Sequence, residues 1–420
     1  MATPYRRHFR LSGEGFPRGW PRPRLSSAMH NVFVRNRRPI LSIAIAAVVG
    51  DIAWCGRPGA IPLSLVFPPL AMAPRSRAAA YAVAFAYYAG ASWPLIPGAR
   101  VFFGPYATVA LAVLLWIAAA AILAAPWALV GPVPGYRSVW RGPLALVITA
   151  APPIGIIGWA SPLTSAGVLF PGTRWLGLIA TMALAGLGAA FPRTALCVAV
   201  IAATAANALH HGEVAPPPTW EAVNTEFGGA GFGPRDPVSD FASAQWIQTR
   251  ALESHARVTV FPESAVSRWN EATEMFWQPT LALLKASGKT IILGAGVSKP
   301  GTGQFDNVLL IRGAQNGPDL PQRIPVPIGM WRAGTPTGVP IHMWGSGTVN
   351  IAGERAAILI CYEELLVWPI LMSATEHPIL IIGIANDYWA TSTRIPKVQI
   401  SAMQAWSRLF GIPNLLATNR

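Results

Sequence analysis

Reactive side chains stand directly after three short apolar runs in the second half of the chain. Glu263 lies in "VFPES", Cys361 closes "AAILIC", and Asn386 and Asp387 close "PILIIGIAND". Each run has the length and the nearly continuous apolar character of a buried strand. An α/β domain offers its chemistry at strand ends, because rigid strands fix the side chains while the loops beyond them admit a ligand. The pattern therefore predicts that these groups meet in one site.

Cys361 and Glu263 have the types needed for a nucleophile and its base. A thiol attacks a carbonyl when a base takes its proton and a donor stabilises the oxyanion that forms. His255, His342 and His377 have no motif around them, so a carboxylate is the remaining base. Burial beside a neutral thiol raises the pKa of a glutamate towards neutrality, which suits this task. The alternative is that Cys361 is a buried structural thiol and Glu263 an ordinary carboxylate.

Several stretches resemble the nitrilase superfamily of carbon–nitrogen hydrolases over about residues 258–420. They are "VFPES", "ILICYEE", "IANDYWATS" and "QISAMQAWSRLFGIPNLLATNR". Membrane spans followed by such a domain resemble apolipoprotein N-acyltransferase. Two more stretches, "ASPLTSAGVLFPGTRWLGL" and "QRIPVPIGMW", are more similar to TraB-type proteins of conjugative plasmid transfer, a membrane-anchored branch of the superfamily.

The resemblance implies a four-layer α-β-β-α sandwich with a catalytic glutamate, lysine and cysteine. It makes Glu263 the base and Cys361 the acylated nucleophile. The backbone N–H of Tyr362 would contribute to the oxyanion hole, and Glu363 would be the acidic neighbour of the cysteine. Neither a cofactor nor a metal is expected, because no CxxC motif or Cys/His cluster is present.

The sequence departs from that pattern at the lysine and at its end. A gapless match places Gln322 where the lysine is expected, with Arg323 one residue further along. The guanidinium of Arg323 is permanently charged and can stabilise an oxyanion, but it cannot give up a proton. Met330 stands where the acyltransferases have a further glutamate. The sequence stops at Arg420, where the family continues, so we expect the sandwich to lack its last strands.

By this resemblance, the protein is expected to be a membrane carbon–nitrogen hydrolase or N-acyltransferase that works through an acyl thioester. The acyltransferases take an acyl chain from a phospholipid and pass it to the N-terminal amine of a protein, so the expected partners are a phospholipid donor, an amine acceptor and the conjugation apparatus. The alternative is a catalytically impaired component of that apparatus, because the lysine and the last strands are missing. A transporter is the third hypothesis, and few membrane-embedded charges support it.

The composition predicts a membrane protein. The chain is 52% hydrophobic and 12% charged, which is too apolar for an ordinary soluble protein. A bilayer core of about 30 Å needs about 20 apolar residues per helix, and residues 39–211 contain about seven such runs. The predicted spans are 39–55, 59–74, 78–97, 101–125, 143–161, 174–191 and 194–210.

The positive charge predicts the orientation of those spans. Residues 1–38 contain nine arginines and one acid, Glu14, and lack apolar periodicity, so they are predicted to be a disordered cytoplasmic tail. Seven spans place five loop arginines on the side of the tail and three on the other. This bias predicts a protein of the bacterial inner membrane with its C-terminal domain in the periplasm. The net charge of +14 therefore indicates topology and anionic lipid, not a nucleic-acid partner.

The chain is predicted to divide into a basic tail (1–38), a transmembrane domain (39–211) and a nitrilase-like domain (212–420). Asp51, in the first span, is predicted to pair with the nearby Arg57. In the last domain, Ser239 is predicted to cap a helix that ends near His255. The other predicted elements are strands at "RVTVFPES", "KTIILGAGV", "NVLLIRG", "RAAILIC", "PILIIGIAND" and "IPNLLATN", and helices over 270–286 and 397–410.

Overall fold

The computed structural model describes residues 27–104, 107–132, 139–210, 212, 214–228 and 236–420. Residues 1–26 of the predicted tail lie outside the described residues, whereas residues 27–38 belong to a helix. The chain from Ser42 to Arg420 forms one compact unit. The domain boundary predicted at residue 212 stays a prediction.

The first half of the described chain is helical throughout. Its α-helices are α1 (Ser27–Ala53), α2 (Phe67–Met72), α3 (Arg77–Ser92), α4 (Leu95–Phe102), α5 (Val109–Val130), α6 (Arg141–Ala150), α7 (Ser165–Leu169), α8 (Trp175–Ala190) and α9 (Pro192–Leu209). Short 3-10 helices cover Pro58–Val66, Ile154–Ile157 and Pro162–Thr164. Each predicted apolar run therefore contains helix.

The prediction of about seven membrane spans is wrong. Among the described residues, two helices, α5 and α9, have the length and the apolar composition needed to cross a membrane. The other apolar runs form shorter apolar helical stretches, such as Ile40–Ala53 of α1 and Trp175–Ala190, and proline is one reason. The run predicted over 59–74 is divided into a 3-10 helix and α2, because Pro62, Pro68 and Pro69 cannot donate backbone hydrogen bonds.

The two long helices expose large apolar side chains. Leu114 and Leu129 of α5 are 60% and 73% exposed, and Leu196 and Ile201 of α9 are 65% and 70% exposed. Contiguous apolar surface of this kind is rare on a soluble monomer and marks contact with a membrane or with another protein. These faces are what a lipid-embedded helix presents to its surroundings.

The second half of the described chain contains two β-sheets. Strands β1 (Trp220–Ala222), β2 (Val258–Val260), β3 (Val266–Trp269), β4 (Thr290–Ser298), β5 (Gly303–Gly313), β6 (Leu320–Pro321) and β7 (Thr337–Gly338) form the first sheet. Strands β8 (Thr348–Ile351), β9 (Glu354–Ile360), β10 (Leu380–Asn386) and β11 (Asn414–Asn419) form the second, in the order β11-β10-β9-β8. In the second sheet β9, β10 and β11 are parallel, which aligns their carboxyl ends at one edge.

The two sheets face each other across a shared apolar core. Val260 and Ile292 of the first sheet pack with Ile358 and Ile384 of the second. Helices α10 (Pro237–Glu253) and α11 (Glu271–Ala286) cover the outer face of the first sheet, and α12 (Val367–Ala374) and α13 (Ile395–Phe410) cover that of the second. The layers therefore form the α-β-β-α sandwich that the resemblance implied.

The core outside the second sheet continues into the helical first half. Trp406 of α13 and Leu359 of β9 belong to the same buried cluster as Tyr87 of α3 and Trp127 of α5. This packing fixes the apolar helices against the elements that follow the reactive strand ends.

Two local predictions need correction. The cap of α10 is Asp236, whose carboxylate accepts a hydrogen bond from the backbone N–H of Ser239; Ser239 is itself the third residue of the helix. Asp51 pairs with Arg394, which precedes α13, at 2.7 Å, and not with Arg57. A contact so distant in sequence has no local pattern that could have indicated it.

Candidate active site

Cys361 stands where the reactive strand ends. It follows β9 directly and opens a 3-10 helix, Cys361–Leu365. Its φ of +53° lies in the left-handed region, which costs a non-glycine residue on the order of 1–3 kcal/mol. Such a turn ends the strand at the cysteine, whose side chain belongs to the core between the two sheets. Cys361 also lies in the wall of a cavity, although only 5% of its surface is exposed.

Glu263 reaches the same place from the other sheet. It lies in the loop after β2, and the next residue, Ser264, also has a left-handed φ, +55°. The loop passes close to β4, where a Cβ on Gly294 would lie 2.4 Å from the Cα of Glu263. Only a glycine permits this approach. The structure thus brings together the two residues that the sequence paired as base and nucleophile.

The Glu263 carboxylate is buried and closely bound. Its Oε1 accepts a hydrogen bond from Asn307 Nδ2 at 2.6 Å, and its Oε2 accepts one from the backbone N–H of Asn386 at 2.9 Å. The Cys361 thiol lies close enough to this carboxylate for each group to affect the pKa of the other. Burial raises the pKa of Glu263 to about 7, against the effect of these donors. Burial, together with the charges of Glu263 and Asp387, raises the pKa of the Cys361 thiol well above its usual value.

Gln322 stands in the network around Glu263. Asn307 Nδ2 donates to Gln322 Oε1 at 3.0 Å as well as to Glu263, and Gln322 Nε2 donates to the backbone carbonyl of Ile360 at 2.9 Å. Both amides are buried. The position at which the resemblance implied a lysine is therefore occupied by a neutral amide, which is bound to the backbone one residue before the cysteine.

Arg323 is held away from the Glu263 network. Its guanidinium donates to the carbonyls of Pro369 and Ile358, both at 3.1 Å, and lies 3.9 Å from Glu363. These contacts engage Arg323 in supporting α12 and β9. The guanidinium therefore faces the backbone of those elements. It does not face the Cys361 thiol, as it would if it stabilised an oxyanion there.

Glu363 organises the loop that carries Gln322. Its Oε1 accepts hydrogen bonds from the backbone N–H groups of Arg323 and Ile324, and its Oε2 accepts one from Ile360. Burial raises the pKa of Glu363, and the neighbouring Arg323 opposes that rise. Glu363 thus joins the backbone just before Cys361 to the loop that carries Gln322. The side chain of Tyr362 extends to the helical first half of the chain, where its hydroxyl donates to the carbonyl of Ile156 at 3.0 Å.

Two further carboxyls are buried beside the pair. Burial raises the pKa of Glu364 well above its usual range, and the charges of Asp387 and Glu263 add to that effect. Burial and Glu263 raise the pKa of Asp387 to about 7, while Arg420 lowers it. Several carboxyls in so small a volume cannot all ionise at neutral pH, so the site stores protons.

An apolar cavity of about 350 Å³ opens in front of Cys361. This volume lies in the range of small-molecule sites. Its walls include residues of α4, α5, α13 and the loop at 326–328. The cavity is apolar because it is lined by side chains such as Ala112, Leu115, Ala118, Phe102 and Val398. Such walls suit a hydrocarbon chain far better than a polar metabolite.

Sequence reasoning missed two residues of the site. Asn307 precedes the apolar run "VLLIRG" and is predicted from sequence only as part of a strand. A polar residue at the start of a buried strand was the signal that could have identified it as a site residue. Gln399 of α13 lines the cavity, and its Nε2 donates to the backbone carbonyl of Cys361 at 3.2 Å. No pattern in the sequence distinguishes it from other glutamines. Among the described residues, no group of His, Cys, Asp or Glu side chains could hold a metal ion.

The site thus combines a buried carboxyl–thiol pair with an apolar cavity in an α-β-β-α sandwich. No protein-family model matches the sequence. The chain is 33% identical to "Conjugal transfer protein TraB" of Agrobacterium fabrum over 405 residues, which cover 91% of this chain and 93% of that protein. It is 32% identical to "Probable conjugal transfer protein TraB" of Sinorhizobium fredii, over 91% of this chain and 98% of that protein. The chain belongs to the TraB family of conjugal transfer proteins.

Solved structures of the nitrilase superfamily are more distant. An amidase from Nesterenkonia AN1 is 11% identical over 40% of this chain and 63% of its own, with a TM-score of 0.29. The glutamine-dependent NAD+ synthetase of Acinetobacter baumannii is 12% identical over 39% of this chain and 31% of its own, with a TM-score of 0.28. At these scores the overlap carries no argument about activity.

Proposed function

We propose that this protein acts in conjugal plasmid transfer as a membrane-embedded carbon–nitrogen hydrolase or N-acyltransferase that forms an acyl thioester on Cys361. The observation that carries the proposal is the buried pair of Glu263 and Cys361, which affect each other's pKa, with the thiol in the wall of an apolar cavity. A thiol paired with a base whose pKa lies near neutrality is the minimal apparatus for covalent acyl transfer.

The proposed reaction uses Glu263 twice. Its carboxylate takes the thiol proton of Cys361 while the sulfur attacks the carbonyl carbon of an amide or ester donor. The tetrahedral oxyanion collapses to the thioester, and the leaving group receives the proton from Glu263. An amine or water then attacks the thioester and gives its proton to Glu263, and the thiol is restored. The backbone N–H of Tyr362, in the first turn of a helix where no intrahelical acceptor exists, is the proposed oxyanion donor.

The apolar cavity supports a lipid acyl donor. Residues of α4 and α5 form part of its walls, and α5 is one of the two described helices long and apolar enough to cross a membrane. A chain entering from a bilayer would reach Cys361 without crossing water, so a phospholipid is the proposed donor and a protein amine the proposed acceptor. The exposed apolar faces of α5 and α9 support membrane integration.

Location in the bacterial inner membrane and a periplasmic sandwich remain part of the proposal. The prediction of the periplasmic side used an odd number of spans, and the corrected count no longer supports that step. A reporter enzyme fused after Arg420 that is active only outside the cytoplasm tests it. Activity of the fusion supports the periplasmic side, and inactivity of a well-expressed fusion contradicts it.

Replacing the nucleophile tests the enzymatic proposal. We expect Cys361→Ala to lower plasmid transfer to the level of a strain lacking the gene, with the tagged protein at its normal abundance in membranes. Cys197→Ala, which changes an exposed cysteine on α9, is the matched control and should transfer normally. A thiol-reactive acyl probe should label Cys361 and should fail to do so in Glu263→Gln. Normal transfer by Cys361→Ala would exclude the enzymatic role.

A specific observation favours a second candidate. Gln322 supplies no positive charge beside Glu263, and Arg323 is engaged elsewhere. Removing a preorganised oxyanion donor costs about 10²- to 10³-fold in rate, so the sandwich could instead act as a binding or assembly component of the transfer apparatus. In that case Cys361→Ala transfers normally, whereas disrupting the sandwich abolishes transfer.

A further inference from the structure

A cluster of three polar or aromatic side chains lies at the cavity beside Cys361. Arg394 lines the cavity and directly precedes α13. One of its guanidinium nitrogens lies 2.7 Å from Asp51 Oδ1, and its guanidinium carbon lies 5.2 Å from the centre of the Trp93 ring. The indole N–H of Trp93 donates to the same Asp51 oxygen at 2.7 Å. The three side chains join α1 and the end of α3 to the start of α13.

The three side chains of this cluster are more exposed to solvent than the thiol. The side chain of Asp51 is 46% exposed and that of Arg394 is 18% exposed, and Trp93 is 47% exposed. Cys361, by contrast, is 5% exposed. A ligand that entered the cavity past this cluster would bring its end group to Arg394, which lines the cavity.

The guanidinium holds Asp51 through one nitrogen. Arg394 Nη2 lies 2.7 Å from Asp51 Oδ1 and donates to the carbonyl of Gly90 at 3.5 Å, whereas Nε is buried out of reach of a ligand. A guanidinium carries five N–H donors in a planar fork, which matches the oxygens of a phosphate. The first turn of α13 adds the positive end of a helix dipole. The half-exposed Asp51 carboxylate can turn into water when another anion takes its place.

We propose that Arg394 binds the phosphate of an amphipathic acyl donor at the cavity opening, displacing Asp51, and so sets the ester carbonyl at Cys361. This inference rests on the proposed function, because it assigns the end group of the same donor. The apolar walls hold the chain, and Arg394 supplies the charge that the walls lack. Asp51 is then the anion that contacts Arg394 when no donor is bound.

The test compares two variants of one ion pair with two donors of equal chain length. Purified full-length protein receives either a fluorescent phosphatidylglycerol or the corresponding uncharged diacylglycerol, and thioester on Cys361 is measured. We expect Arg394→Gln to lower acylation from the phospholipid about tenfold or more relative to the diacylglycerol, since a hydrogen bond to a charged group contributes about 1.5–3 kcal/mol. Asp51→Asn, which removes the competing anion, should leave or increase acylation from the phospholipid.

A purely structural ion pair predicts a different result. If Arg394 only ties α1 to α13, both variants will lower acylation from both donors equally, and the proposal is overturned. Arg394→Lys keeps the charge without the fork and should give an intermediate loss; thermal melting of each variant reports its folding. Competition by soluble glycerol phosphate as strong as that by phosphatidylglycerol would also overturn the proposal, because it would indicate a site for free anions.

A binding measurement separates this proposal from the enzymatic one. Cys361→Ala cannot form the thioester, but it retains the cavity and Arg394. We expect it to bind the fluorescent phospholipid more tightly than the diacylglycerol, and we expect Arg394→Gln in that background to remove the preference. If neither donor acylates the unaltered protein, the proposed reaction fails while the binding preference still decides the role of Arg394.

Discussion

Glu263 and Gln322 share one hydrogen-bond donor. Asn307 Nδ2 lies 2.6 Å from Glu263 Oε1 and 3.0 Å from Gln322 Oε1. All three side chains are buried, so the amide of Asn307 links the base to the position at which a lysine was expected. Because neither amide is charged, burial dominates the pKa of Glu263 and raises it to about 7.

The reactivity of Cys361 should follow the titration of Glu263. The carboxylate can accept the thiol proton only when it is ionised, so labelling by an acyl probe should rise as the pH increases through about 7. Peptide mass spectrometry of protein labelled across the pH range measures the rate at this one cysteine. Glu263→Gln should abolish the rise. A rate that instead increases only as the thiol itself ionises, at much higher pH, would show that Glu263 is not the base.

A positive charge at residue 322 should move that titration. In Gln322→Lys, an ammonium near Glu263 favours the ionised carboxylate, which lowers the pKa of Glu263. The midpoint of labelling should therefore move to lower pH, and the rate at about pH 6 should rise roughly fivefold if the pKa of Glu263 falls by about one. Stabilisation of the oxyanion would add to this gain.

Gln322→Met is the matched control for the lysine variant. It keeps the length of the side chain but removes the amide, so the midpoint should stay near that of the unaltered protein. An unchanged midpoint in a folded Gln322→Lys protein would contradict the proximity of residue 322 to Glu263.

Neighbouring glutamates should differ in their effects on stability. Glu363 accepts three backbone hydrogen bonds, so Glu363→Ala should destabilise the fold by about 3–5 kcal/mol, as expected when one partner of a buried charged network is removed. Thermal melting measures this loss. Equal melting temperatures for Glu363→Ala and the unaltered protein would contradict the structural role assigned to Glu363.

Glu364 is expected to respond in the opposite direction. Its folded-state pKa is raised by burial, so the folded protein binds a proton that the unfolded chain releases. Stability linked to Glu364 is complete below the ordinary pKa of a glutamate and is lost as the pH rises towards the folded-state value. Glu364→Gln should remove this loss and raise the melting temperature more at about pH 8 than at about pH 5. A pH-independent effect would show that Glu364 is not held protonated.

The strands and their reactive ends could be predicted because their signals are local. The runs ending at Glu263, Cys361 and Asn386 are short, apolar and flanked by breakers, and each corresponds to an observed strand or its following loop. Their meeting at one site follows from the parallel alignment of the second sheet and the packing of the two sheets. This much of the candidate site was accessible from sequence.

The rest depends on contacts between distant parts of the chain. Asp51 pairs with Arg394, and Asn307 donates to Glu263. The local sequence around either member of each pair does not indicate its partner. The number of spanning helices was overestimated for a related reason. Hydropathy measures composition, whereas the positions of the prolines decide where a helix such as α2 begins.

Filling the cavity should select against long acyl chains. Ala118 of α5 lines the cavity, and Ala118→Phe places a ring in the volume proposed for the chain. We expect labelling by a long-chain acyl probe to fall about tenfold or more, because an overpacked apolar site costs about 1–3 kcal/mol, whereas a two-carbon probe should react as before. Leu114→Phe, on the outward face of the same helix and 60% exposed, is the matched control and should change neither rate. If Ala118→Phe slows both probes equally, the ring disturbs the thiol and not the chain; if it slows neither, the acyl chain does not occupy this cavity.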